Sequence, residues 1–413
     1  RILRALAAPT LLALVLRVVL LVWLPPSPAW DGVIYERAAE DLGAGRGLTR
    51  AIFSRDQPSI PTAFFPVGLP AALAPLRALG AGRAGDLVFQ CIVGVALVPV
   101  GYALGRRVRG PSAGTVTAWL LALWPGGALL SVSWMTEPLF SLLVGIAATI
   151  AAWSSARSRA RAQAMAFAFL ALAAYVRPSA LVVLAVLALG LAWIDRRRAQ
   201  PIRRAASYVG VAMLVASSML TPWALRNEVE IGAPVAVSTN GGFNLLLGTT
   251  GDGRYGEMPT EIDCPHELGE VAKDRCRADR AVARIADRPA HALARGTLKL
   301  VHTFGHESSP SELWAESLDV EDEDRETARL FALAASEPFW LLLSSGALAG
   351  AALLWRRHRG GAAGVAIVAC VTGTALVHAI YLGGDRYHAA MVAPMAALAA
   401  LALVELRRSR SAR

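Results

Sequence analysis

Apolar residues fall in long blocks along this chain, not in narrow amphipathic stripes. A bilayer-spanning helix needs roughly 20 mostly apolar residues. Ten stretches approach that description: about 5–24, 85–104, 112–130, 137–153, 163–176, 179–194, 206–222, 337–355, 362–382 and 388–405. The pair 163–176 and 179–194 is short, and Arg177-Pro178 divides it. It reads as two short crossings or as one broken helix, whose joined arms would be too long for one crossing. The stretch 63–80 is also apolar but holds Pro66, Pro70 and Pro75 and must begin and end on one side. It predicts an interfacial or re-entrant helix. The fold class expected is therefore an all-α polytopic membrane protein of about ten spans.

Charge then gives orientation. Arginine and lysine collect in the short inside loops of membrane proteins. With the N-terminus inside, the segments 1–4, 105–110, 154–162, 195–205, 356–361 and 406–413 hold twenty arginines, with only Asp195 and Glu405 there or at their edges. Ten crossings with both ends inside is self-consistent. The first helix lacks a small-residue cleavage site and reads as retained. Three outer segments remain: 25–84, 223–336 and Gly383–His388. The domains expected are a membrane module 1–222 carrying the first outer loop, an outer cap 223–336, and C-terminal helices with a basic tail, 337–413. The cap has 20 acidic and 12 basic residues, a net −8, so the rest of the chain carries +18. Within it Pro234–Ser238 predicts a short strand, 267–286 and 289–304 predict helices, and Asp319–Glu326 is an acidic, solvated run.

Composition agrees. With 413 residues, 55% hydrophobic and 17% charged, and mean hydropathy +0.46, a soluble globule would lack polar surface. A disordered or coiled-coil chain is excluded too. The net charge of +10 would suggest nucleic acid had its excess not gone to the inside loops, so no nucleic-acid partner is expected. All basic residues but Lys273 and Lys299 are arginine. Cys264 and Cys276 share the outer cap, where an oxidising compartment favours a disulfide; two free thiols are the alternative.

Ionisable groups at a membrane face tend to be functional. The first outer loop reads Trp30-Asp31-Gly32-Val33-Ile34-Tyr35-Glu36, with Gly43 and Gly45 ending the helix it predicts. Asp31 is an N-cap type of residue, and Asp31, Tyr35, Ala38 and Leu42 share one face. A plain helix cap is the competing reading of Asp31.

At this point the chain resembles a family. The pattern Asp31-x-x-x-Tyr35-x-x-x-Ala39-x-x-Leu42-x-x-Gly45-x-Gly47 directly after the first span is similar to the first outer loop of C-type glycosyltransferases. These are polytopic enzymes that use polyprenyl-phosphate-linked sugars, including protein O-mannosyltransferases and lipid A aminoarabinose transferases. Further resemblances follow in order: Ala63-Phe64-Phe65-Pro66-Val67-Gly68-Leu69-Pro70, Thr136-Glu137-Pro138, Tyr175-Val176-Arg177-Pro178, Pro222–Asn227 with Ser238–Gly242, and Asp385-Arg386-Tyr387 with Pro394. Val67 and Leu69 depart from the family's pattern. The resemblance covers about 5–250 and 337–405 and leaves most of the cap unmatched.

The resemblance implies a GT-C-like fold and a lipid-linked sugar donor. Asp31 becomes the general base for an acceptor hydroxyl, with inversion. Tyr35, Glu137 and Asn240 would position acceptor or donor. Arg386, Arg226 and Arg177, with Tyr387, would hold the donor phosphate, since guanidinium groups match phosphate oxygens bidentately. For Glu137 the alternative is a helix-dipole role; for the arginines it is snorkelling to water. Glu36 points elsewhere on the helix. His302 and His306 are four apart and form a metal candidate, although Gly305 interrupts the helix; no cofactor is required, and a divalent metal is not the favoured reading. The partners implied are a polyprenyl-phosphate sugar, an envelope glycan, lipid or protein acceptor, and the bilayer of a bacterial cytoplasmic membrane, with the site on its outer face. A transporter or flippase of a lipid-linked saccharide, or a non-catalytic membrane subunit, would also fit ten spans. A transporter should show repeats and midplane charges; here the charged residues crowd one face.

Overall fold

The computed structural model describes residues 2–154, 159–195, 201–357 and 361–411. Of the inside-loop arginines, Arg1, Arg157, Arg196, Arg197, Arg198, Arg359 and Arg413 lie outside the described residues. The helices run α1 (Ile2–Trp23), α2 (Asp31–Gly43), α3 (Gly68–Ala78), α4 (Gly82–Arg109), α5 (Pro111–Leu123), α6 (Pro125–Leu130), α7 (Glu137–Trp153), α8 (Arg159–Val176) and α9 (Ala180–Asp195). They continue with α10 (Pro201–Ile231), α11 (Gly241–Leu247), α12 (Glu270–Asp287), α13 (Pro289–Phe304), α14 (Ser309–Glu316), α15 (Asp322–Arg357), α16 (Ala362–Ile380) and α17 (Val392–Ser411).

This is the architecture of a membrane protein. Among the described residues, six helical stretches are long and apolar enough to cross a bilayer: Ile2–Trp23, Gly82–Arg109, Ile202–Ile231, Asp322–Arg356, Ala362–Ile380 and Asp385–Ser409. Shorter apolar helices are Pro111–Leu123, Glu137–Trp153 and Ala180–Asp195. A helix therefore lies on every apolar stretch of the sequence, but length and hydropathy qualify fewer than ten. One reason is visible at Pro125. The stretch 112–130 breaks into α5 and α6, and Trp124 between them is extended (φ −65°, ψ 109°), as a residue before proline tends to be.

Two helices overrun their expected ends. α10 has 31 residues and α15 has 36, roughly 46 and 54 Å at the α-helical rise. Pro222 lies inside α10, so the Pro222–Asn227 motif is helical and does not follow the span. α15 begins in the acidic run: Asp322, Glu323 and Asp324 occupy its first turn, where carboxylates favour the positive end of the dipole.

Pro234–Ser238 is not a strand. Among the described residues only isolated bridges occur: Pro26 with Leu318, Thr49 with Pro61, Arg254 with Gly383. Two of its carbonyls are taken by side chains instead. Trp223 Nε1 donates to Val237 O (2.8 Å) and Asn227 Nδ2 to Val235 O (2.7 Å). The rest of the cap alternates helices with turns, the longest non-helical stretch being 248–269, and Cys264 and Cys276 are joined by a disulfide.

The main apolar core is built from α4, α5, α7, α8, α9, α16 and α17, with Phe167, Leu121 and Met391 fully buried. Small residues let its neighbours approach closely. A Cβ on Gly68 would stand 2.6 Å from the Tyr175 carbonyl, so this glycine seats α3 on the end of α8. That contact brings the first loop beside Arg177.

Candidate functional site

Charge pins the first loop on both sides. On one side Arg77 of α3 bridges α2 and α4. Its Nε donates to Asp86 Oδ2 (2.9 Å) and its Nη2 to Glu36 Oε1 (3.1 Å), while Trp134 Nε1 also donates to Asp86 (2.8 Å). Asp86 is fully buried. Glu36, which also accepts from Arg83 Nε (3.2 Å), is thus spent on structure. On the other side Arg226 of α10 donates to the carbonyls of Thr62 and Leu48 (3.0 Å each) and lies 4.9 Å over the Trp223 ring. Glu270 of α12 accepts from Thr62 Oγ1 (2.5 Å), Ala63 N (2.9 Å) and Thr239 Oγ1 (2.6 Å).

Between these anchors lies a cavity of about 250 Å³. It is lined by Asp31 and Tyr35 of α2, Arg177, Asn240, Arg386 and Tyr387. Six of the eight residues expected for catalysis, positioning and phosphate binding therefore converge. Glu137 stands behind the wall, and Arg226 does not reach it. Its guanidinium is committed to backbone carbonyls, so it is a bracket for the loop.

Asp31 is not an N-cap. Trp30 holds that position without a side-chain cap bond, and Asp31 is the first helical residue. Trp30 is the single non-glycine at positive φ among the described residues (φ 52°), and its indole donates to Glu316 of α14. Strained backbone of this kind clusters at functional sites. The Asp31 carboxylate, free of capping duty, meets Arg386: Nη2 to Oδ2 is 3.3 Å. Tyr35 follows one turn on, buried and edge-on to Phe65 (centroids 5.6 Å). Burial, and then the Asp31 charge, push its phenol well above the ordinary tyrosine range.

Arg386 sits on a 3-10 helix, Asp385–Met391, clamped on both flanks. Asp385 accepts from the Ser309 amide (2.7 Å), the Ser308 amide and the Ser309 hydroxyl. His388 contacts Thr303 O through Nδ1 (2.8 Å) and Glu307 Oε1 through Nε2 (3.0 Å), and stacks on Trp340 (3.5 Å). Burial pushes the Glu307 carboxyl up from its ordinary value. Tyr387 stacks on His378 (4.3 Å), and the guanidinium carbons of Arg177 and Arg386 each lie 5.2 Å from its ring centroid.

Glu137 is both a helix-start residue and a second-row anion. It opens α7, which suits the dipole. Its Oε1 also accepts from Arg177 Nη2 (2.5 Å) and lies 3.8 Å from Arg386 Nε. Arg177 Nε donates to Thr136 Oγ1 (2.8 Å). Two motifs far apart in sequence thus lock together. After these pairs Arg386 Nη1 is buried with no hydrogen-bond partner, a costly state for a cation. Asn240, at the start of α11, accepts from Ser238 Oγ through Oδ1 (2.8 Å).

The two candidate metal histidines part company. His302 ends α13 facing Asp252 (3.6 Å), while His306 lies beyond that helix, 3.4 Å from Asp385. The bond to Asp385 raises the His306 imidazole above its ordinary value. No group of three potential metal ligands occurs among the described residues.

Sequence reasoning missed several lining residues. Phe243 of α11 and Tyr255 of the cap join Phe64 and Phe65 in an aromatic wall, and His378 closes the α16 side. His378 carried a readable signal, a lone imidazole in an apolar span. Tyr255 carried none beyond its neighbouring glycine turn.

The fold matches solved structures at low identity. The archaeal oligosaccharyltransferase of Archaeoglobus fulgidus, tethered to an acceptor peptide containing the NVT sequon, aligns with TM-score 0.58 and 12% identity, covering 99% of this chain and 50% of that one. The same organism's AglB, in complex with an inhibitory peptide and a dolichol-phosphate, aligns with TM-score 0.56 and 14% identity, covering 99% and 51%. ArnT from Cupriavidus metallidurans, bound to undecaprenyl phosphate, gives TM-score 0.45 at 14% identity, covering 95% and 77%. The chain therefore shares its fold with the archaeal oligosaccharyltransferase structures and spans about half their length. No protein-family model matches it. No curated protein matches it by sequence.

Proposed function

We propose that this chain is an integral membrane glycosyltransferase. It moves a sugar from a polyprenyl-phosphate donor to a hydroxyl of an envelope glycan, lipid or protein acceptor. The observation that carries this reading is the pairing of Asp31 with Arg386, 355 residues apart, in one cavity with Arg177.

The chemistry follows from that pair. The acceptor hydroxyl attacks the anomeric carbon, and Asp31 takes its proton as the new bond forms. The bond from that carbon to the phosphate oxygen breaks from the opposite face, so one displacement inverts the centre. No water needs activation, so no second catalytic carboxylate of the glycosidase kind is required. The leaving polyprenyl phosphate gains charge, which Arg386 and Arg177 stabilise. The unsatisfied Arg386 Nη1 supplies a donor for a phosphate oxygen, and Glu137 sets the angle of both guanidinium groups. Phosphate binding would draw Arg386 from Asp31 and leave the carboxylate free for the acceptor.

The arginine distribution supports ten crossings with both ends in the cytoplasm and the cavity on the outer face of a bacterial cytoplasmic membrane. It also supports the division into membrane module, outer cap and C-terminal helices. The test is transfer by the purified protein in nanodiscs, supplied with a panel of radiolabelled polyprenyl-phosphate sugars and envelope acceptors. Release of polyprenyl phosphate with a labelled glycoside of inverted configuration is expected. A retained configuration would overturn the single displacement.

A further inference from the structure

A second cavity, about 790 Å³, opens on the other side of the α16 terminus. Val377, His378, Tyr381 and Leu382 face the first cavity, and Ala379 and Ile380 face the second. α11 links them likewise, with Asn244 in the first and Gly248, just past its end, in the second. A Cβ on Gly248 would meet the Tyr381 carbonyl at 1.9 Å, so this wall is one backbone thick.

The lining is unexpected in a cap of net −8. Arg284, Arg288, His291, Arg295 and Lys299 converge on it, against Asp287 as the single carboxylate. That aspartate is exposed and pairs with Arg288 at 3.4 Å, a contact of little worth in water. Arg295 Nη2 is spent 2.6 Å from His291 Nε2, while its Nη1 is buried without a hydrogen-bond partner. Lys299 is 3% exposed, and its ammonium donates to Ile380 O at 2.7 Å. A buried ammonium and a buried guanidinium nitrogen in this state call for an anion, with Arg284 and Arg288 exposed at the rim. The cavity also has an apolar lip: Leu293 is 76% and Ile380 52% exposed. α13 carries exposed Leu293, Leu298 and Val301 beside exposed Leu376 of the α16 span, the pattern of a helix lying in a membrane interface.

We propose that this second cavity binds a phosphate group carried at the membrane surface, held by Arg284, Arg288, Arg295 and Lys299, with Leu293 and Ile380 against the apolar part of its carrier. The geometry suits the phosphomonoester head of a lipid, and the same donors would take free phosphate. The site is separate from the Asp31–Arg386 cavity and needs no transfer chemistry.

The experiment uses the full chain in phosphatidylcholine nanodiscs and measures binding of two probes: dioleoyl phosphatidic acid doped into the disc, and soluble glycerol 3-phosphate. Arg288→Ala/Arg295→Ala should weaken binding of the phosphatidic acid at least about tenfold, the scale of one lost charge-assisted contact. Lys299→Met is the second variant and should act in the same direction; a retained thermal midpoint identifies either variant as folded. Repeating both in the Arg386→Ala background removes the contribution of the first cavity. Loss confined to the lipid probe supports a lipid headgroup site, and loss of both probes supports a general phosphate site. Unchanged binding in a folded variant, or complete loss on Arg386→Ala alone, overturns the proposal.

Discussion

Two clusters of arginine and carboxylate flank α2, and they are built to opposite ends. Around Arg77 each ionised group has an oppositely charged partner. Glu36 and Asp86 close on one guanidinium and the Trp134 indole donates to Asp86, with Asp86 fully buried and Arg77 nearly so. Around Arg386 the matching is incomplete: Asp31 stands at 3.3 Å, Glu137 at 3.8 Å, one guanidinium nitrogen is unsatisfied, and a cavity opens alongside. The same residue types therefore make a staple in one place and a receptive site in the other. Both clusters are largely buried and each keeps one unsatisfied polar atom, Asp86 Oδ1 in the first and Arg386 Nη1 in the second; the difference is that a cavity opens beside Arg386 and none of the first cluster lines it.

That contrast can be broken by mutation. Arg386→Ala should reduce the turnover of lipid-linked donor by about 10²–10³-fold, the usual cost of losing a preorganised oxyanion donor, with a smaller loss of stability than Arg77→Ala because Arg177 still pairs with Glu137. Arg226→Ala should leave donor turnover per folded molecule intact, because that side chain holds loop carbonyls. Steady-state assays at saturating acceptor separate the two. Arg77→Ala should do the reverse of Arg386→Ala. Breaking a buried ion pair costs about 3–5 kcal/mol, seen as a lowered midpoint in detergent unfolding, while folded molecules keep their turnover.

Smaller effects sharpen the same picture within the cap. Cys264→Ser/Cys276→Ser removes a disulfide with a sequence separation of 12. The chain-entropy account puts that at about 3 kcal/mol at most for so short a loop. Reductant should lower the wild-type midpoint to the variant's and leave the variant unmoved. The smallest effect is titration of Lys299, whose pKa burial, and then Arg295, pull down to about 8 from 10.5. The folded state then releases this proton before the unfolded state does. Its destabilising contribution is complete below about pH 8 and fades as pH rises toward 10.5, so stability rises across that window. Thermal midpoints across it should climb more in wild type than in Lys299→Met.

The sequence revealed much of the scaffold because block hydropathy is a coarse signal that survives tertiary detail. All the apolar stretches became helices, and the two cap helices run Glu270–Asp287 and Pro289–Phe304 against an expected 267–286 and 289–304. What failed did so where side chains took over backbone duties. Pro234–Ser238 reads as a strand, but Trp223 and Asn227 satisfy two of its carbonyls. Asp31 reads as a cap, but Trp30 takes that position at a strained φ. The site was legible where it lay in short motifs beside spans, as with Asp31, Arg177 and Arg386. Arg226 carried the same signal and a different job, because span-edge arginines look alike until their acceptors are known. Tyr255 was invisible because its place depends on how the cap folds back over the membrane helices.

The central claim is that Asp31 is the base of a cavity whose charge is poised for a lipid phosphate. The most direct measurement is the single-turnover transfer rate of Asp31→Asn against wild type, with both proteins saturated with polyprenyl-phosphate sugar and shown to bind it. The account predicts a rate lower by about 10²–10⁴-fold with donor affinity retained. A wild-type rate in that variant would contradict it.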